Sequence, residues 1–336
     1  MSFVHALHGV RIAGCGSALP ERRMTNADLE KLMDTSDEWI VKRTGITERR
    51  VFDRDQGPST AQLGERALHE ALTDAGLAPT ELDLLVVATM TADMPTPGVG
   101  PTIAAALDCG NVGAMDINAA CSGFVFSLNV AHEMVRSGRY QNIGVIGVDT
   151  ITRFIDYSTY GRGAAILFGD AASAFIIRAD ADDKLGLIAE SMHSDGGGAK
   201  HLFIPTCAAQ FFEDEFDERK VNRVQMNGQA VFKFAVKKFP EVIEQTLEKA
   251  GVNAADVDHY VCHQANARIL EAARDRFGLE PERLTVNIDK YGNTVAASCP
   301  LVFDELKKAG RIEPGQKVMF IAFGAGLTWG ASLWQL

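Results

Sequence analysis

The stretch "ALHEALTDAGLAPTELDLLVVA" (67–88) reads as a helix that stops at an Ala-Gly pair, then a short loop with an acidic residue, then an apolar strand. A second stretch, "VIEQTLEKAGVNAADVDHYVCH" (242–263), reads the same way, 175 positions later in a chain of 336 residues. In both, the glycine after the last helical turn suits a left-handed cap. Two more pairs follow in order. "AMDINAACSG" (114–123) faces "LTVNIDKYGN" (284–293), each read as a strand turning into a helix. "AILFGDAASAFIIRA" (165–179) faces "VMFIAFGAGLTWGASLWQL" (318–336), each read as two strands joined by a Gly-rich turn. The chain therefore reads as a duplication of one βαβ-rich unit, with halves 1–180 and 181–336. Alternating strands and helices predict an α/β fold with mostly parallel sheet covered by helices. Ligands of such sheets bind beyond the C-terminal ends of the strands.

Composition narrows the function classes. Hydrophobic residues make up 46% and charged residues 23%, as in a globular protein. No apolar stretch is long and charge-free enough to span a bilayer, and no signal-peptide pattern opens the chain, so a cytoplasmic protein with no membrane partner is expected. The formal net charge of -11 argues against non-specific nucleic-acid binding, but a local basic patch could still meet an anionic partner. The six cysteines form no C-x-x-C pair, and neither a metal site nor a cofactor site is expected. "FGAGLTWG" (323–330) leads from one strand into another, unlike a phosphate-binding loop, which opens a helix.

Three residues stand at strand-to-helix junctions. Cys121, in "DINAACSGF", is placed at a helix N-terminus, where free N–H groups and the helix dipole favour a thiolate; the small residues around it would let a substrate approach. A buried, inert cysteine is the alternative. His263 closes the strand "DHYVCH" and could serve a cleft or simply bond within the core. Asn293, in "YGNTVAAS", lies near the repeat equivalent of Cys121 and would alone read as a helix cap. Together, the three are expected to point into one cleft.

"DINAACSGF", "HQANARI", "YGNTVAAS", "FGAGLTWG" and "TSDEWIVKRTGITERR" (35–50) resemble the β-ketoacyl-acyl-carrier-protein synthase III family of the thiolase superfamily, in the family's order. The resemblance implies a thiolase-like fold: duplicated βαβαβαββ halves forming a five-layered αβαβα sandwich. It implies a homodimeric acyltransferase that condenses an acyl-CoA primer with malonyl-acyl-carrier protein and starts type II fatty acid synthesis. By the same resemblance Cys121 is acylated, His263 and Asn293 hold the malonyl thioester carbonyl, and the backbone N–H groups of Cys121 and Ala325 hold the oxyanion. The family often has Gly where Ala325 stands; alanine keeps the N–H, provided that its φ is negative.

Trp39, Arg43, Arg162 and Asn266 match the family's CoA contacts. Lys233, Lys237, Lys238, Arg268 and Arg276 would form a basic patch for the acidic carrier, with Asp275 a departure where the family often has paired basic residues. Thr96 falls where short-chain members carry a bulky Phe that closes the partner's acyl pocket, which implies room for a primer longer than acetyl or branched. The alternatives are a specialised acyltransferase or condensing enzyme of secondary metabolism using an acyl-Cys121 intermediate, and a degenerate acyl-binding subunit. The intact Cys–His–Asn set argues against the last. The acidic, aromatic-rich segment 207–223 has no assigned role.

Overall fold

The computed structural model describes residues 8–53, 56–207 and 217–336. Most of the 207–223 segment therefore lies outside the described residues. In the first half the strands are Gly9–Ala18 (β1), Arg23–Thr25 (β2), Glu48–Arg50 (β3), Leu84–Ala88 (β4), Gly113–Ile117 (β5), Asn142–Asp149 (β6) and Ala171–Asp180 (β7). The helices between them are Asn26–Glu30 (α1), Asp37–Thr44 (α2), Thr60–Ala75 (α3), Val99–Ala106 (α4), Gly123–Arg136 (α5) and the single turn Arg162–Ala165 (α6). The second half has strands Gly186–Ser194 (β8), Leu202–Phe203 (β9), Gln225–Met226 (β10), His259–Cys262 (β11), Lys317–Gly324 (β12) and Thr328–Gln335 (β13). Its helices are Gly228–Ala250 (α7), Ala267–Phe277 (α8), Ile288–Tyr291 (α9) and Ser298–Lys308 (α10).

Two sheets carry the fold. One runs β1-β7-β6-β4-β5 and the other β11-β12-β13-β8. Side chains alternate along each strand, and the inner strands β4, β6 and β12 are buried on both faces. Val318, Phe320 and Ala322 of β12 join Leu84, Val86 and Ala88 of β4 in a central core around α5 and α10. Met319, Ile321 and Phe323 face the other way, onto α7 and α8. Leu85 and Val87 face α3 and α4. The order is therefore helices, sheet, helices, sheet, helices: the five-layered sandwich expected.

The sheets are mixed rather than mostly parallel. β4 pairs in parallel with β5 and β6, and β11 with β12. The ladders β6–β7, β1–β7, β12–β13 and β13–β8 are antiparallel. The Gly-rich turn made the β12–β13 hairpin legible, and it is tight, joined by residues 325–327. In the first half, residues 150–170 intervene between β6 and β7, and "AILF" forms the end of α6 and a turn instead of a strand.

The second correction concerns "LTVNI", which is not a strand. The side chain of Gln264 takes the place of a ladder there. Its amide donates to the Thr285 carbonyl (3.2 Å) and its oxygen accepts from the Asn287 N–H (3.0 Å).

The duplication is otherwise close. Gly76 and Gly251 both end helices in the left-handed conformation, with φ 64° and 65°. Asp83 bonds the Asn142 N–H at the start of β6, as Asp258 bonds the Lys317 N–H at the start of β12. The 175-residue offset holds from the helix end through β6 and β12. It corrects the register near the cysteine: Cys121 matches Ala296, and Asn293 matches Asn118.

Candidate active site

The matched turns share a backbone. Ala120 has φ 48° and Val295 φ 52°, both in the left-handed region. Only glycine enters that region at little cost, and a β-branched residue there is an outlier. In each turn the asparagine two residues earlier accepts from the N–H of that residue: Asn118 from Ala120 (3.3 Å) and Asn293 from Val295 (3.0 Å). Cys121 sits in the turn Ala120–Ser122, just ahead of α5, which begins at Gly123.

The turn Ala120–Ser122 packs against Val295–Ala297 and against β12. Gly324 closes the approach: a Cβ there would stand 2.7 Å from the Cys121 nitrogen and 3.0 Å from its Cβ. His263 follows β11, donates its N–H to the Ile321 carbonyl (2.7 Å) and sets its ring edge-on to Phe323, with centroids 5.5 Å apart. Asn293 donates its N–H to the Leu167 carbonyl (2.8 Å) and accepts from the Gly169 N–H (3.0 Å) through its own. Cys121 and His263 thus stand at the C-terminal part of β12, Asn293 leads into the turn packed on that of Cys121, and all three are buried.

Burial decides their charge. The Cys121 thiol is pushed well above its usual range by desolvation first and by the Asp149 carboxylate second; its own backbone N–H only partly opposes this. The expectation that a helix N-terminus makes a resting thiolate is therefore corrected: α5 starts two residues beyond the cysteine, and desolvation outweighs it. Burial lowers His263 to about 3, so the imidazole is neutral and keeps one N–H donor in either tautomer. The oxygen of the Asn293 side chain is committed to Val295, which leaves its NH2 as the group to donate. Ala325 is not among the non-glycine residues with positive φ, so its N–H is carried without strain.

A narrow apolar slot adjoins Cys121, lined by Met90, Ile151, Phe168, Phe203, Val295 and Ala325 among others. Beside it opens a cavity of about 690 Å³ walled by Met90, Ala92, Met94, Pro95, Phe154 and Ile204 among others. Met94 and Pro95 belong to the loop of Thr96, but Thr96 itself is exposed and does not line this cavity. These apolar walls were not legible in the sequence, because no local pattern marks residues that converge from separate loops.

The Arg43 and Arg162 guanidiniums each lie 4.7 Å from the centre of the Trp39 ring. Asn266 caps α8 through the Arg268 N–H and donates to the Arg43 carbonyl (3.0 Å), so it positions this cluster. On α7 and α8, Lys233, Lys237 and Arg268 are exposed. Lys238 is paired with Glu241 (2.7 Å), and Arg276 grips Glu244 through two nitrogens.

Models of two families match the chain: 3-oxoacyl-[acyl-carrier-protein] synthase III over residues 115–196, and the C-terminal domain of the same synthase over 247–336. The β-ketoacyl-[acyl-carrier-protein] synthase III of Caldanaerobacter subterraneus subsp. tengcongensis is 42% identical over 323 residues, covering 96% of both chains. The chain belongs to the 3-oxoacyl-[acyl-carrier-protein] synthase III family. The Staphylococcus aureus (strain Newman) member is also 42% identical, over 96% of this chain and 97% of its own. Among solved structures, the Aquifex aeolicus synthase III superposes with a TM-score of 0.89 at 38% identity, covering 98% of this chain and all of its own. The priming β-ketosynthase of the R1128 polyketide pathway gives 0.90 at 32% identity, over 99% and 98%. Family membership makes this chain an acyltransferase of the condensing type with the thiolase fold.

Proposed function

We propose that this enzyme joins an acyl-CoA primer to malonyl-acyl-carrier protein, releasing carbon dioxide and a 3-oxoacyl-acyl-carrier protein, and so initiates type II fatty acid synthesis in the cytoplasm. One observation carries the reading: the turn of the buried Cys121 borders an apolar slot and packs against the turn that Asn293 leads into, while a neutral His263 stands beside the same strand, β12.

In the first half-reaction the Cys121 sulfur attacks the primer thioester. Its proton passes to the departing CoA sulfur, and the backbone N–H groups of Cys121 and Ala325 hold the oxyanion. In the second, His263 and Asn293 donate to the malonyl thioester carbonyl. Carbon dioxide leaves, and the electron pair of the broken bond becomes an enolate that these donors stabilise. The enolate carbon attacks the acyl-cysteine, the C–S bond breaks, and the thiolate takes up a proton. Trp39, Arg43 and Arg162 bind CoA, with Asn266 behind them. Lys233, Lys237 and Arg268 meet the carrier; Lys238 and Arg276 are already paired and contribute less. The outer edge of β5 is unpaired among the described residues, and an open strand edge is a ready site for pairing with a second copy. A homodimer formed there would bring the Thr96 loop to the partner's cavity.

Intact-protein mass after incubation with acyl-CoAs of rising length and branching tests the first step. A gain of one acyl group in wild type but not in Cys121→Ala is expected, and the best primer reports on the cavity. No gain with any primer refutes the reading. A second reading keeps the chemistry and changes the pathway to a specialised product; the likeness to the R1128 priming enzyme favours it. Preference for an unusual primer over acetyl and short branched primers would decide for it.

A further inference from the structure

The two halves present the same left-handed turn, but what faces it differs. Cys121 matches Ala296, and the last residue of β12, Gly324, matches the last residue of β6, Asp149. The halves cross over: each turn is backed by the strand end of the other half. Glycine at 324 leaves the Cys121 N–H uncovered on that side. At the matching place Asp149 puts its Oδ2 on the Ala296 N–H at 3.2 Å. An anionic oxygen therefore sits on the N–H equivalent to the one assigned to the reaction's oxyanion. The carboxylate is fully buried. Its other oxygen, Oδ1, accepts from the Met90 N–H (2.9 Å) and from the Thr91 (2.9 Å) and Thr89 (3.3 Å) hydroxyls.

We propose that the Val295–Ala297 turn is a second copy of the oxyanion-binding turn, permanently filled by Asp149, and that this internal anion is the positioning residue that holds Asn293 in place. The turn needs such a hold, because Val295 is a β-branched residue at φ 52°. Asn293 precedes it by two residues and is tied to it by side chain. Oδ1 meanwhile fixes the segment 89–91, from which Met90 lines the space beside the cysteine. Asp149 thus separates two tasks by its two oxygens: one steadies the primer wall, the other the turn that serves the malonyl group.

This inference rests on the function proposed above, and the amide isostere tests it. In Asp149→Asn, three donors at 89–91 hold the amide oxygen, which turns the NH2 onto the Ala296 N–H. Acylation of Cys121, read by intact mass, should stay within about threefold of wild type. Carbon dioxide release by the pre-acylated enzyme with malonyl-acyl-carrier protein should fall about a hundredfold or more, the scale of losing a transition-state donor. In Asp149→Ala both arms are lost, and sodium formate should restore the second half-reaction tenfold or more where chloride at equal ionic strength does not. Equal loss of both half-reactions in Asp149→Asn, loss of neither, or a folded Asp149→Ala that ignores formate would overturn the proposal. If Asp149→Ala is insoluble, the split in Asp149→Asn decides alone. A wild type inactive in both half-reactions would instead refute the proposed function.

Discussion

Gly324 is the residue on which the reactive turn depends most directly. Any side chain there meets the backbone of Cys121, not the tip of a flexible neighbour. Gly324→Ala should therefore slow acylation by about a hundredfold, the scale of removing one oxyanion donor. The strain should also lower stability by about 1–3 kcal/mol. Single-turnover acylation and urea unfolding check the two effects, and unchanged acylation would show that the cysteine turn tolerates displacement. Cys121 and His263 were legible in the sequence because each lies where a strand gives way to a helix; Asn293 was picked out by the misread strand "LTVNI", whereas it follows α9. Asp149 was not: nothing in "GVDT" marks an aspartate whose partner, Ala296, lies 147 positions away. The left-handed φ of Val295 was hidden too, since local preference argues against a β-branched residue there and only long-range contacts impose it.

At the scale of elements, α7 carries the basic face. Among the described residues Lys233 and Lys237 have no ion pair, whereas Lys238 lies 5.3 Å over the Trp329 ring and is bonded to Glu241. Lys233→Glu with Lys237→Glu should raise the KM for the malonyl carrier about tenfold and leave the acyl-CoA step unchanged. The difference should shrink in high salt, because exposed charges are screened. Steady-state kinetics at two ionic strengths measure this, and equal effects on both substrates would remove α7 from carrier docking. Helix α7 itself was legible, as was its glycine end. The failed strand "LTVNI" was not, because its apolar alternation fits a strand and only the reach of the Gln264 amide replaces the ladder. "AILF" failed for a related reason: its carbonyls serve other elements, as when Ile166 accepts from the buried Arg49.

Across the whole molecule, buried titratable groups pull the pH dependence of stability in opposite directions. Burial lowers His263, His132 and His259 in the native state. Below about pH 6.5 the unfolded chain takes up protons that these native histidines refuse, so their contribution is lost as pH falls. Burial raises Asp149 to about 6 and Asp170 to about 7. Between the unfolded carboxylate value of 3.8 and those values the native state holds protons that the unfolded chain lacks, so their contribution grows as pH falls. In Asp170→Asn one of the two carboxylate contributions disappears. Its melting temperature should therefore drop more steeply than that of wild type between pH 7.5 and pH 5; parallel curves would refute the assignment. The five layers came with the family resemblance, and the duplication was legible in the repeat. Strand polarity was not, because the residues joining β6 to β7 hide the hairpin that three residues make plain between β12 and β13.

The cluster at Trp39 has an optical consequence. The chain has three tryptophans, and Trp329 and Trp334 are buried. Trp39 is half-buried, with two guanidiniums against its ring. An adenine that displaced either cation would change the emission of this one indole while the other two stayed dark to the event. If CoA binds at Trp39 as proposed, this indole is an intrinsic fluorophore at the mouth of that site, and its occupancy can be titrated by light without a label.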